Sequence, residues 1–444
     1  MIEVHNKLHD HVLHRRLNVS KEQRTGLPVD IVIKFIQASG LPKVDIGPGM
    51  LADPYFVADI DGKISYTSSA QRNTLNPVWN ESWAIRNVPS DAQLIVDVYD
   101  KDEGSINDDY IGSFSAPLDP GAHASALKGV IRNGKGSFGY FITVELCSAP
   151  DVPRYTFDGP VRYSRHFSPT VGTIAKINNP NGSHTRLWST WKISMRGVYE
   201  YFGHHRQHWN IHYKAAQSIF EGPMSLGARA SIQAGHRLLY ANSTANGFGL
   251  IDSAEGFWGL FRAGEDRPPS SRVLNRDTPE PRRIKPAVYT YTIGEDGVFR
   301  FSETGASFFV DFVSKHALHS CCTETVIYSG EFHPRPAFPD GSGWAFFEES
   351  MSDDSVSWEL VIDNNSGTYA PDKAFLPALK GFLQYNLPGL RVITFDYKDD
   401  ELALKASTDS CQEYALAHRR TELQPTLTSE GNSLHHMAIV RPVE

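Results

Sequence analysis

Long apolar runs are missing from this chain. None of its 444 residues falls in a run of 18 apolar ones, so no helix is expected to span a membrane. The opening, MIEVHNKLHDHVLHRRLNV, has no apolar h-region, so no secretory signal is expected. Cysteine is scarce: Cys147, Cys321, Cys322 and Cys411 are too few for a disulfide framework, and the adjacent pair lacks CxxC spacing. Excess positive charge is absent too. A formal net charge of −8 argues against an extended nucleic-acid surface, so no nucleic-acid partner is expected. Together these absences predict a reduced, cytoplasmic protein.

What is present reads as globular and multidomain. The hydrophobic share is 40% and the charged share 21%, and the length suggests two or three domains. The stretch that organises the rest is LIVDVYDKDEGSINDDYIG, residues 94–112. It starts as a strand with Leu94, Val96 and Val98 on one face, then runs into Asp100 and Asp102. Asp108 and Asp109 follow across a short loop, just before Tyr110 restarts a strand. Two carboxylates about 4 Å apart repel by roughly 4 kcal/mol at an effective dielectric near 20. A loop gathering several acids therefore calls for a cation, and all-oxygen ligands suit Ca²⁺ better than a softer metal. A solvated acidic loop is the plainer alternative.

Strand patterning begins at Pro28. Ile31, Ile33 and Phe35 alternate with Val32, Lys34 and Ile36 until Gly40 and Pro42 end the run. Asp45 and Asp53 then flank a Gly/Pro-rich loop, Tyr55-Phe56-Val57 starts a strand, and Asn76-Pro77 turns into a strand carrying Trp79 and Trp83. GYFITVELC supplies a closing strand.

The blocks ASGLPKVD, ADPYFVADIDG, RNTLNPVWNESW and VYDKD…DDYIG occur in that order over about 120 residues. Through them residues 28–148 resemble a C2 domain, the calcium- and lipid-binding β-sandwich also found in synaptotagmins and conventional protein kinases C. The resemblance implies an eight-stranded antiparallel sandwich with its calcium loops at one end, in the circularly permuted variant whose first calcium loop follows the opening strand. It also implies metal ligands. Asp45 and Asp53 match the first-loop positions, Asp100 and Asp102 the paired third-loop positions, and Asp109 or, because the loop is one residue longer than usual, Asp108 the last. Backbone carbonyls near Val44 and Lys101 would complete the shell. A C2 scaffold that binds no calcium is the alternative.

Membrane docking follows from charge and from apolar tips. An empty acidic site repels anionic lipid, while two or three Ca²⁺ ions would reverse its sign and leave positions for lipid phosphate. Ile46, Met50 and Leu51 in the first loop and Ile106 in the third are apolar residues expected at the tip. Each buried CH₂ contributes about 0.8 kcal/mol, so a few tips hold a loop among headgroups. Any one of them could equally be an ordinary surface hydrophobe. Only Lys63 and Arg72 stand where some relatives bind phosphoinositides, so a phosphatidylserine-like anionic membrane is the expected partner.

The remaining organisation is a polar, histidine-rich arm over 1–27, a proline-broken linker over 149–185, a larger α/β (α+β) region over 186–420 and a tail over 421–444. A Pro/Arg/Ser-rich loop interrupts the region at 264–285. Through GPVRYSRHFSPTVG, SKHALHS, YSGEFHPRP and VIDNNSGTYAPDK, residues 160–420 resemble the uncharacterised C-terminal region of fungal C2-domain proteins, which supplies architecture and no chemistry. VYTYTI and GVFRFS suggest a hairpin, SFFVDFVSKHALHS a helix, and TVIYSGEFHPRP, WELVIDNNSGTYAP and RVITFDY strands.

Two constellations are candidates for chemistry. His316 and His319 lie near Cys321-Cys322, with Glu331 and His333 at a strand end, offering a His/Glu metal site or a Cys–His nucleophile pair. Asp363 opens the run DNNSGT at the end of an apolar strand, where α/β sheets bind ligands. Helix-end histidines beside structural thiols, and an Asx-rich turn, are the ordinary readings. The expected function is thus Ca²⁺-dependent recruitment to membrane, with a C-terminal cargo of unknown activity. The alternative is a recruited hydrolase or transferase using one of these constellations.

Overall fold

A computed structural model of the chain describes residues 24–43, 51–101, 108–129, 136–167, 189–223, 225–240, 247–262, 284–304, 314–348, 350–351 and 356–419. The chain divides into two compact units, Met1–Pro160 and Val161–Glu444.

The first unit is built from β1 (Pro28–Ser39), β2 (Pro54–Ile60), β3 (Ile64–Thr67), β4 (Val78–Pro89), β5 (Gln93–Asp100), β6 (Asp109–Pro117), β7 (Gly121–Ala126), β8 (Lys128–Gly129), β9 (Ser137–Leu146) and β10 (Thr156–Gly159). They form two sheets, ordered β10-β4-β1-β9-β7 and β3-β2-β5-β6-β8. The alternation read from β1 is realised: Ile31, Ile33 and Phe35 are buried, while Val32 is 40% exposed. Their inward faces meet those of β2, β4, β5 and β9, so that Phe35, Phe56, Trp83 and Phe138 pack in one core. β1 pairs with β4 and β9, and β2 with β3 and β5, so the first acidic loop joins one sheet to the other directly after the opening strand. Two strands exceed the expected eight. One is the two-residue β8, and the other is β10, which adds to the edge of β4 from within the stretch read as a linker.

The second unit carries β11 (Arg162–Phe167), β12 (Ser189–Ser194), the two-residue β13 (Gln207–His208), β14 (Gly247–Leu250), β15 (Tyr289–Ile293), β16 (Val298–Glu303), the two-residue β17 (Thr325–Val326), β18 (Tyr328–Pro336), β19 (Trp358–Asp363) and β20 (Arg391–Phe395). Eight of these form one sheet, ordered β14-β11-β12-β16-β15-β18-β19-β20. Every pairing in it is antiparallel except β19 with β20. The α/β pattern expected from sequence thus takes its α+β form, and β11 too falls inside the stretch read as a linker.

This sheet is covered on both faces. Trp191, Ile193, Tyr289, Tyr291, Phe299, Phe301, Phe332 and Leu360 point into an aromatic core shared with helices Ala254–Gly259 and Leu376–Asn386. The opposite face is polar, and helices Ser225–Leu239 and Lys315–His319 lie over it. Helix Lys315–His319 begins later than the helix read over SFFVDFVSKHALHS: Ser314 is extended and caps it by accepting the Ala317 N–H, and residues 307–313 lie outside the described residues. Helix Glu401–Arg419, not anticipated from sequence, runs beside β18.

Candidate functional site

At one end of the sheet β3-β2-β5-β6-β8, three adjacent strands finish in aspartates. Asp100 closes β5 and is 1% exposed. Its Oδ1 accepts the backbone N–H of Asp53 at 2.6 Å, and Asp53 Oδ1 in turn accepts the N–H of Asn73 at 2.6 Å. Lys101 N–H donates to the Asp53 carbonyl at 3.1 Å, prolonging the β2–β5 ladder past its last pair. The first and third acidic loops are thereby clamped together by backbone donors.

The register also separates the two candidate acids of β6. Asp109 stands opposite Asp100, after a bulge that leaves Ile111 as the extra residue on β6. Residues directly opposite share a face, so Asp109 lies on the side of Asp100. Asp108 instead accepts a hydrogen bond from the Tyr55 hydroxyl at 2.7 Å. Tyr55 stacks on Tyr99, which meets Tyr110 edge-on, and Lys101 Nζ lies 5.9 Å from the Tyr55 ring centre.

Of the other residues expected here, Leu51 is 37% exposed beside the site. Asp45, Asp102, Ile46, Met50 and Ile106 lie outside the described residues, as does Val44. Among the described residues no three His, Cys, Asp or Glu side chains come close enough to hold a metal ion. The donors that are described here are carboxylate oxygens, the chemistry that fits a hard cation such as Ca²⁺.

In the second unit the five candidates lie along the polar face of the sheet, the three histidines on separate partners and Glu331 beside Asp363. His319 shares its ring nitrogens between Ser302 Oγ (2.9 Å) and the Tyr240 hydroxyl (2.7 Å), and burial pushes its pKa well below the usual value. His316 Nε2 donates to the Gly330 carbonyl at 3.1 Å, and burial pushes it down to about 4. His333 Nε2 meets Ser407 Oγ at 2.8 Å on helix Glu401–Arg419, and burial with nearby Arg335 pushes it down to about 3. Burial raises the Cys322 thiol to about 12, opposite to what a nucleophile needs.

Glu331 and Asp363 are neighbours. Asp363 Oδ1 accepts the N–H groups of Glu331 and Asn365, both at 2.8 Å, while Thr304 Oγ1 donates to Glu331 Oε1 at 3.2 Å. Burial raises both carboxyls, and the Asp363 charge adds to the rise at Glu331. Asn364 ties the DNNSGT run to the segment after β20, donating to Asp396 and accepting the Tyr397 N–H, while Ser366 accepts the Tyr369 N–H within the turn.

The sequence profile of the C2 domain family matches residues 29–132. Residues 29–132 form a C2 domain. The chain is 37% identical to Tricalbin-2 of Saccharomyces cerevisiae across 94 residues, 20% of this chain and 8% of that protein. It is 38% identical to the E3 ubiquitin-protein ligase RSP5 of Chaetomium thermophilum across 78 residues, 17% of this chain and 9% of that one. Against Synaptotagmin-A of Diplobatis ommata it is 36% identical across 93 residues, 20% of this chain and 21% of that protein. The chain therefore spans under a quarter of the length of these curated relatives. Among solved structures, a C2 domain of plant extended synaptotagmin 1 is similar at 21% identity and a TM-score of 0.25, covering 29% of this chain and 99% of that one.

Sequence spacing pointed to the aspartates of the C2 domain but not to Tyr55, whose hydroxyl holds Asp108. The sole cue was its place two residues after Asp53 at the start of a strand. In the second unit it missed Lys192, Arg300, Ser302 and Tyr240, which reside on strands and a helix end that carry no motif.

Proposed function

We propose that the C2 domain binds anionic phospholipid membrane in a Ca²⁺-dependent way and carries the second unit to that surface. The observation behind this reading is the clamp of Asp53 to Asp100, with Asp109 opposite Asp100 in the ladder. Acids gathered at one sheet end repel one another unless a cation neutralises them. In this reading Asp53, Asp100 and Asp109 act with Asp45 and Asp102 as ligands, and Asp108 serves the Tyr55 hydroxyl. Bound Ca²⁺ supplies positive charge and open coordination positions for lipid phosphate. Asp100, fixed by its bond to Asp53, orients the third loop against the first. Leu51 offers an apolar contact at the same end, with Ile46, Met50 and Ile106 in the same two loops.

The test is co-sedimentation of the full chain with vesicles of phosphatidylserine and phosphatidylcholine. Pelleting is expected with Ca²⁺, to fall to the phosphatidylcholine-only level in chelator, and to be lost in the double variant Asp53→Asn, Asp100→Asn. Equal pelleting with Ca²⁺ and with chelator would overturn the reading.

A further inference from the structure

The covered polar face of the second unit's sheet holds a surplus of positive charge. Pairing across β11, β12, β16 and β15 sets Ser164, Lys192, Arg300 and Thr292 in one row. Lys192 and Arg300 are directly opposite each other, which puts their Cβ atoms about 5 Å apart and makes the pair repulsive by itself. Arg300 is neutralised by Asp296, which takes its Nη1 at 3.1 Å and also accepts from Nη2. Its Nε is buried and has no hydrogen-bond partner among the described residues.

Lys192 has no such direct partner among the described residues. Its Nζ lies 4.5 Å from the centre of the Tyr240 ring, and among the described residues it makes no ion pair or hydrogen bond. The charge of Asp296, already shared with Arg300, also reaches it, and the other groups around it bring no negative charge. His236 donates from Nδ1 to the Leu318 carbonyl at 2.8 Å and is pushed down to about 4 by burial, so it is neutral. Tyr240 and His319 bond each other, and burial raises the Cys321 thiol. Two cations against one carboxylate leave one positive charge over. Burial and Arg300 push the Lys192 ammonium down to about 8, which still leaves it protonated at pH 7. A partly buried charge without a counter-charge is costly unless an anion joins it.

We infer that Lys192 and Arg300, with the Ser164 hydroxyl beside them in the row, form a subsite for a phosphate monoester. Lys192 supplies the ammonium, Arg300 the unused Nε–H, and Ser164 a hydroxyl that now meets His166 Nε2 at 2.8 Å. The phosphate comes either from a phosphorylated lipid headgroup or from a soluble phosphate ester. The subsite involves none of the C2 domain's acids and needs no Ca²⁺.

The test uses the full chain in chelator, which silences Ca²⁺-dependent docking. Isothermal titration with inorganic phosphate should give a binding isotherm. Lys192→Met should weaken it roughly ten- to hundredfold, the loss of one charge-assisted hydrogen bond, while Lys192→Arg retains it. If Lys192→Met does not fold, Lys192→Gln takes its place. Vesicles containing phosphatidic acid give the second arm. Pelleting in chelator that depends on Lys192 assigns the phosphate to lipid, and pelleting absent while phosphate still binds assigns it to a soluble ester. Absence of any isotherm with the unaltered chain, or equal affinity in Lys192→Met, would overturn the inference.

Discussion

Asp100 has two roles that substitutions separate. Its Oδ1 accepts the Asp53 N–H, and its charge adds to the acidic end of the C2 domain. Asp100→Asn keeps an acceptor and removes the charge, so in chelator the variant should be as stable as the unaltered chain. Asp100→Ala leaves the Asp53 N–H without its acceptor and should cost about 1–3 kcal/mol, read from the denaturant midpoint. Equal stability of the two variants would contradict the clamp. His333 gives a pH-linked prediction. Its folded pKa of about 3 lies below the unfolded value of 6.5, so between these limits the folded state binds fewer protons than the unfolded one. Stability is therefore full above about 6.5 and is lost as the pH falls toward 3. At pH 5 the penalty relative to pH 7 is about 2 kcal/mol for this residue, against Ser407 and Arg335. His333→Asn should flatten the slope of stability between pH 5 and pH 7, and an unchanged slope would contradict the assignment.

The strands of the C2 domain were legible because one face is apolar and the other polar, as Ile31, Ile33 and Phe35 against Val32 and Lys34 show. The second unit misleads by the same rule. STWKIS, YTYTI and VFRFSE alternate like strands with a wet face, yet Thr190, Thr290, Thr292 and Ser302 are each 2% exposed or less. Period-2 alternation says which side is polar and cannot say whether helices cover it. Helix Glu401–Arg419 was missed because its inward stripe, Leu404, Ser407, Thr408, Cys411, Tyr414 and Ala415, mixes polar with apolar residues and blurs the helical period. Close packing between elements yields a sharper prediction. A Cβ on Gly330 of β18 would meet the Asp363 carbonyl oxygen at 2.2 Å and its carbon at 2.8 Å. The contact is with backbone, and that carbonyl also accepts from the Tyr291 hydroxyl at 2.7 Å. Gly330→Ala should therefore destabilise by about 3 kcal/mol, seen as a lower denaturant midpoint. A variant of native stability would contradict the packing.

At the scale of the whole molecule, two units have different claims on function. The first is a C2 domain whose third-loop acids stand out by spacing, because carboxylates two apart at a strand end have few structural uses, while Asp45 and Asp53 came through the resemblance. The second joins buried titratable groups to no motif, so nothing in its sequence distinguished Lys192 and Arg300 from surface charges. The account as a whole rests on the acidic end of the C2 domain taking up calcium. Calorimetric titration of the full chain with Ca²⁺ tests this directly, beside the double variant Asp53→Asn, Asp100→Asn. Saturable binding by the unaltered chain, absent from the variant, is the predicted result; no binding by the unaltered chain, or the same isotherm from both proteins, would contradict it.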